Sequence, residues 1–324
     1  MELKVTADAQ LDAEQATART AHTAQPFFAR AGSGYEPRAA AISGWSADMV
    51  SGPAVLGLLA HAIEGEYKQD EFFATRVTAD LFRPVRMGRI DVRSRIIRWG
   101  NRIRLVEAEL IQSDEAVARA TVAFYRKSRN AAGAHWVDSR VPEPPSPAEH
   151  LGERLIGTSG ENADWGPLPH GGPAWRTSDR KRIWTTGWSA IAGEATTPLV
   201  RAAMIADLTN LVTNMGTEGI GYINGDVTLA LTRLPEGIEL GLEADSHRAC
   251  DGVAVGSATM FDRDGPLGIC TVSAIENDRR TLQRPEEARA LAGESRVQDI
   301  SRLMTDPESL HDPATPWRIR RPAR

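Results

Sequence analysis

The sequence predicts an α+β chain in which one apolar helix followed by a curling antiparallel sheet occurs twice. Two observations carry that expectation, and the first is internal self-similarity. The run Val77-Thr78-Ala79-Asp80-Leu81-Phe82-Arg83-Pro84 is echoed by Val227-Thr228-Leu229-Ala230-Leu231-Thr232-Arg233-Leu234, at an offset of 150 residues. The register holds without a gap at the far end, where Ala108 meets Ala258, Asp114 meets Asp264, and Thr121-Val122 meets Thr271-Val272. Self-similarity is weighed first because it dictates the architecture. Val and Thr also coincide by chance in β-rich segments, so two unrelated meanders stay open as the alternative. The second observation is the hydropathy period, which changes in the same order in both copies.

In the first copy Arg93, Arg95 and Arg98 interleave with Ser94, Ile96 and Ile97 before a turn at Trp99-Gly100-Asn101-Arg102. Alternation resumes from Ile103 to Leu110, turns at Ser113-Asp114-Glu115, and continues to Phe124. Period-two alternation between Gly, Asn and Asp turns predicts an antiparallel meander with one solvated face. The second copy repeats this, with Asp262-Arg263-Asp264-Gly265 as a hairpin turn. A helical run precedes each meander. Pro53 to Glu66 aligns Val55, Leu58, Leu59, Ala62 and Ile63 on one face, and Pro198 to Leu211 aligns Leu199, Ala202, Ala203, Leu208 and Leu211. Both runs open on a proline, which suits a first helical turn where its missing N–H is not needed. That element order, twice over, is the order of a double hotdog.

The rest of the chain frames these halves. A length of 324 residues allows two domains, each able to bury a core. A net charge of −5 points to neither nucleic acid nor an acidic membrane surface. The cysteines, Cys250 and Cys270, lack metal-type spacing and fit a reducing cytosol, so a cytoplasmic protein without a disulfide framework is expected. No run approaches the roughly 18 apolar residues of a membrane span. Residues 1–26 read as a polar lead, 27–128 as the first hotdog repeat and 129–178 as a connector. The connector is loop-like at Pro142-Glu143-Pro144-Pro145-Ser146-Pro147 and Trp165-Gly166-Pro167-Leu168-Pro169. Strand character returns at Lys181-Arg182-Ile183-Trp184 in a second repeat over 179–277, and 278–324 reads as a charged, Pro-punctuated tail.

The chain resembles the acyl-CoA thioesterase II family. The resemblance rests on Gly44-Trp45-Ser46, on Ser51-Gly52-Pro53-Ala54 at the helix start, and on the strand end Leu81-Phe82-Arg83-Pro84. In the second half it rests on Arg182-Ile183-Trp184, on Asp207 and on Asp264-Gly265. It implies hydrolysis of a fatty or related acyl-CoA, without cofactor or metal, by a water held on an Asp of the second-half helix. A Thr or Ser on the following strand and a Gln on the last strand assist in that family. The matching positions here are Asp207, Asn224 and Ser273, two of them departures in residue type. Asn224 still offers donor and acceptor, while Ser273 is shorter than Gln. An Asp between Ala206 and Leu208 is locally unfavourable in a helix, and thioester hydrolysis needs a proton acceptor tuned near the working pH. A satisfied interface Asp is the plainer alternative. Backbone N–H groups of Gly52 and Ala54 at the first-half helix start are candidates for the thioester oxygen.

Other features read as structural. His61 and Glu64 share one helix, unlike the His and acid of hotdog dehydratases, and read as a surface or interface pair. The run 169–173 precedes no helix, Gly219-Ile220-Gly221 lacks the Lys of a phosphate loop, and Thr158-Ser159-Gly160 lacks a nucleophile elbow's context. The arginines near residues 93–104 fit a solvated strand face, and Trp45, Trp99, Trp184 and Trp188 fit either core or pocket. Two functions remain: an acyl-CoA thioesterase, or a catalytically reduced double hotdog that binds acyl-CoA or acyl chains or serves as a scaffold. A tunnel ending at the Asp207 carboxylate, with Asn224 and Ser273 converging within hydrogen-bond reach, favours the first, and a filled core there favours the second. Homo-oligomer formation stays open.

Overall fold

The computed structural model describes residues 25–146, 155–159, 165–167 and 175–277. The lead as far as residue 24, the 169–173 run and the tail from 278 therefore lie outside the described residues. Strands β1 (Pro26–Ala31) and β2 (Gly34–Pro37) pair antiparallel, and β10 (Ser189–Ile191) of the second half joins β1 in parallel. Helix α1 (Gly52–Tyr67) follows, with Ser51 extended at its N-cap and Pro53 in its first turn. Pro53 to Ala60 are all buried, as expected of a helix that is apolar on every side. Four strands then form β3 (Phe72–Leu81), β4 (Asp91–Trp99), β5 (Ile103–Gln112) and β6 (Glu115–Arg126).

The second half also places its helical segment before its long strands. After β7 (Leu155–Thr158), β8 (Trp165–Pro167), β9 (Lys181–Thr185) and β10 come α2 (Pro198–Ala206) and α3 (Thr209–Asn214). The short strands β11 (Met215–Gly216), β12 (Gly219–Ile220) and β13 (Tyr222–Asn224) lead into β14 (Asp226–Leu231), β15 (Leu240–Cys250), β16 (Val253–Asp262) and β17 (Gly265–Glu276). Among the described residues one twelve-stranded sheet runs β4-β5-β6-β3-β14-β17-β16-β15-β9-β7-β8, with β13 also paired to β17. The halves meet where β3 pairs antiparallel with β14. There Thr78 lies opposite Thr228, 150 residues away, with the two hydroxyls 3.3 Å apart. The strands β5 and β16, and likewise β6 and β17, carry that same offset of 150 residues. Helices α1 and α2 pack on one another inside a single apolar core shared by both halves. No helix among the described residues is long and apolar enough to cross a membrane.

Two sequence expectations need correction. The second helix is not continuous from Pro198 to Leu211; it divides into α2 and α3, with Asp207 and Leu208 at the joint. Tight bonds from Leu208 N–H to the Ile205 carbonyl (2.9 Å) and from Asn210 N–H to the Asp207 carbonyl (3.2 Å) shorten the turn there. Asp207 is thus a C-cap residue and not a mid-helix one. The connector is not all loop, because β7 and β8 extend the sheet edge. Trp165 packs on Leu155, Trp184 and Phe261, and the Arg182 guanidinium stacks over its ring. Aromatic packing holds that edge where no period two was available to announce it. Glu64 is buried and accepts from the Thr197 hydroxyl at the α2 N-cap, so it ties the two helices together.

Candidate active site

The joint between α2 and α3 places Asp207 against the start of α1. The approach is so close that a Cβ at Gly52 would overlap the Asp207 carboxylate, and only glycine permits it. No side chain caps the first turn of α1, so its amides and the positive end of its dipole face this region uncapped. From the sheet side, β13 ends at Asn224, whose Nδ2 donates to Asp207 Oδ1 at 3.1 Å. Gly225 then separates β13 from β14. Its N–H donates to the Ser273 carbonyl at 2.9 Å, and its carbonyl accepts from Leu81 N–H at 2.8 Å. Three strands are thereby stitched together beside Asn224.

A cavity of about 460 Å³ opens here. Gly52, Asp207, Asn224 and Ser273 all line it, together with Trp45, Met49, Val55, Phe82 and Pro84. Ser273 stands on its exposed side. The Ser273 N–H donates to Asp226 Oδ1 at 3.0 Å, and among the described residues no hydrogen bond joins its hydroxyl to Asp207. Ala54 is fully buried and lies off the lining, where Val55 takes its place. Of Trp45, Trp99, Trp184 and Trp188, Trp45 alone lines the cavity, while Trp184 is core.

Asp207 keeps partial exposure as a residue, but its carboxyl group is enclosed by protein. That enclosure pushes its pKa from 3.8 up to about 6, against a smaller downward pull from the Asn224 hydrogen bond. Other charges on the lining hold partners of their own. Arg119 donates to Asp80 at 2.7 Å, and Arg83 pairs with Glu115. Asp80 and Asp226 also line the cavity, although neither stands at a position that the motifs or the resemblance single out. They face one another only because β3 pairs with β14. Among the described residues no group of three or more His, Cys, Asp and Glu is placed to hold a metal. The arrangement supplies a carboxylate of raised pKa, an amide that orients it, uncapped amides opposite, and an apolar-walled space between.

Comparison with known proteins gives two matches along the sequence. Residues 41–125 match the acyl-CoA thioesterase N-terminal domain, and residues 140–275 match the acyl-CoA thioesterase C-terminal domain. The chain belongs to the acyl-CoA thioesterase family. Solved structures share the fold of this thioesterase-family chain. The TesB protein of Mycobacterium avium subsp. paratuberculosis is 14% identical, with a TM-score of 0.53 over 73% of this chain and 94% of that one. The acyl-CoA thioesterase II TesB2 of Mycobacterium marinum is 12% identical, with a TM-score of 0.52 over 70% and 90%. A hot dog fold protein from Alicyclobacillus acidocaldarius is 14% identical, with a TM-score of 0.54 over 77% and 95%. No curated protein matches this thioesterase-family chain.

Proposed function

We propose that this protein is a double-hotdog thioesterase, with tandem repeats over 27–128 and 179–277, that hydrolyses a fatty or related acyl-CoA to the free acid and CoA. The observation that carries this reading is the meeting of Asp207, Asn224 and Gly52 on one cavity, from three elements and both halves. In this reading the Asp207 carboxylate takes a proton from a water bound beside it, while Asn224 fixes the orientation of that carboxylate. The water oxygen bonds to the thioester carbonyl carbon, and the charge gathering on the carbonyl oxygen faces the Gly52 amide at the α1 start. The C–S bond then breaks, the thiolate leaves as CoA, and the proton on Asp207 neutralises it. Ser273, on the cavity rim, holds a second water at that end.

A carboxyl with a pKa of about 6 is mostly ionised at neutral pH and is still basic enough to accept a proton there. The test is release of free thiol from acyl-CoAs of increasing chain length, comparing the native chain with Asp207→Ala. Turnover with a chain-length optimum, lost in the variant, supports the reading. Turnover that survives the substitution removes Asp207 from the role. No turnover on any chain length by the folded native protein favours a binding protein instead.

A further inference from the structure

We propose that Asn210 is a positioning residue for the Asp207–Asn224 pair, acting through the backbone carbonyl of Tyr222. The proposal rests on the catalytic reading of Asp207 given above. Asn210 stands three residues after Asp207 on α3, and Tyr222 stands two residues before Asn224 on β13. Asn210 Nδ2 donates to the Tyr222 carbonyl at 3.0 Å, which joins the two segments directly behind the pair. Asn210 is buried and does not line the cavity, so it touches no substrate.

The polarity of this contact is fixed by its partners. A carbonyl only accepts, so Asn210 must present its NH₂ to Tyr222 and its Oδ1 the other way. That oxygen accepts from Asn214 Nδ2 at 2.7 Å, one helical turn on, which leaves Asn214 Oδ1 to accept from His247 Nδ1 at 2.9 Å. The chain therefore runs in a single sense from His247 on β15, through two buried amides of α3, to β13. Two buried amides with both ends satisfied hold the elements they join in one arrangement. Here the elements are those that carry Asp207 and Asn224.

The charged groups sharing the cavity with Asp207 are Asp80, Arg83 and Asp226. None lies on α3, and Gly52, which faces Asp207 from α1, is uncharged. Asn210 also meets the Asp207 carbonyl through its backbone N–H, which a side-chain substitution keeps, so the loss of its amide reaches the Asp207 carboxylate through Asn224. The experiment is the pH profile of kcat and kcat/KM for acyl-CoA hydrolysis by the native chain, Asn210→Ala, Asn224→Ala and the double variant. Asn210→Ala is expected to lower kcat by about ten- to a hundredfold with little change in KM. It is also expected to move the acid limb to higher pH, because Asn224 no longer donates to Asp207. In the double variant Asn210→Ala should add no further shift to that of Asn224→Ala. An acid limb that stays in place, or shifts that simply add, would overturn the proposal. Should Asn210→Ala fail to fold, Asn210→Ser is read by the same profile. Activity retained in Asp207→Ala sinks the catalytic reading itself, whereas an inactive Asp207→Ala beside a native profile in the Asn210 variant sinks this inference alone.

Discussion

A carboxyl whose pKa is higher in the folded than in the unfolded chain holds its proton more tightly when folded. Asp207 rises from 3.8 to about 6, so its contribution to stability falls as pH climbs through that window and stays low above it. Asp207→Asn removes the buried charge and keeps an oxygen for Asn224 to donate to. We predict that Asp207→Asn melts at higher temperature than the native chain at pH 8, a gain of up to about 3 kcal/mol. That gain disappears near pH 3, and turnover is lost at every pH. Thermal melts across pH 3 to 8 check it, and a variant less stable than native at pH 8 contradicts it. The sequence supplied the suspicion, since an Asp among Ile205, Ala206 and Leu208 had no local reason to be there. It supplied neither the burial that raises the pKa nor the exclusion of Ala54 from the lining, because both depend on how α1 meets α2.

The element that matters most is α3. It lies against β16 so closely that a Cβ at Gly256 would overlap the Thr213 side chain, whose hydroxyl donates to the Thr209 carbonyl at 2.7 Å. Gly256→Ala must therefore lift α3 from the sheet, at the roughly 1–3 kcal/mol cost of overpacking. We expect a lower melting temperature and a fall in kcat, since the lifted helix carries Asn210 away from Tyr222. A native kcat in Gly256→Ala would show that the seat of α3 is irrelevant to the site. Helix existence was legible from apolar spacing, but the break at Asp207 was not. Both sides of that break are apolar, and only the tightened turn distinguishes them. The amides at Asn210 and Asn214 do carry a readable signal, two polar residues at i and i+4 on one helical face. Their meaning required β13 and β15 to be in place.

Across the whole molecule the two halves are alike in path and unlike in chemistry. Counting back 150 residues, the spacing of the Thr78–Thr228 pair, puts Ala74 where the second half has Asn224 and Ala123 where it has Ser273. Counting from the helix-opening Pro53 and Pro198 puts Ala62 where the second half has Asp207. All three polar positions are thus alanine in the first half, and Ala74 and Ala123 are buried. We predict one site per chain. Titration with a non-hydrolysable acyl-CoA analogue should give one equivalent bound per chain, and two equivalents of equal affinity would refute it. The first half still contributes, because Gly52 and the start of α1 face the carboxylate of the second.

The sequence by itself determined the path of the chain. Strand alternation, the Asp262 to Gly265 hairpin, the helix-opening prolines and the offset of 150 residues are local or repeated patterns, and backbone geometry reads them directly. The resemblance named Asp207, Asn224 and Gly52, but only the tertiary structure brought them together. Asp207 and Asn224 stand 17 residues apart with Gly52 in the other half, and their meeting depends on α1 packing against α2 and on β13 pairing with β17. The edge strands β7 and β8 belong to the same class, held by contacts among Leu155, Trp165, Trp184 and Phe261. Periodicity records which face of an element is apolar. It does not record which other element that face will meet, and a buried carboxylate takes its chemistry from that meeting.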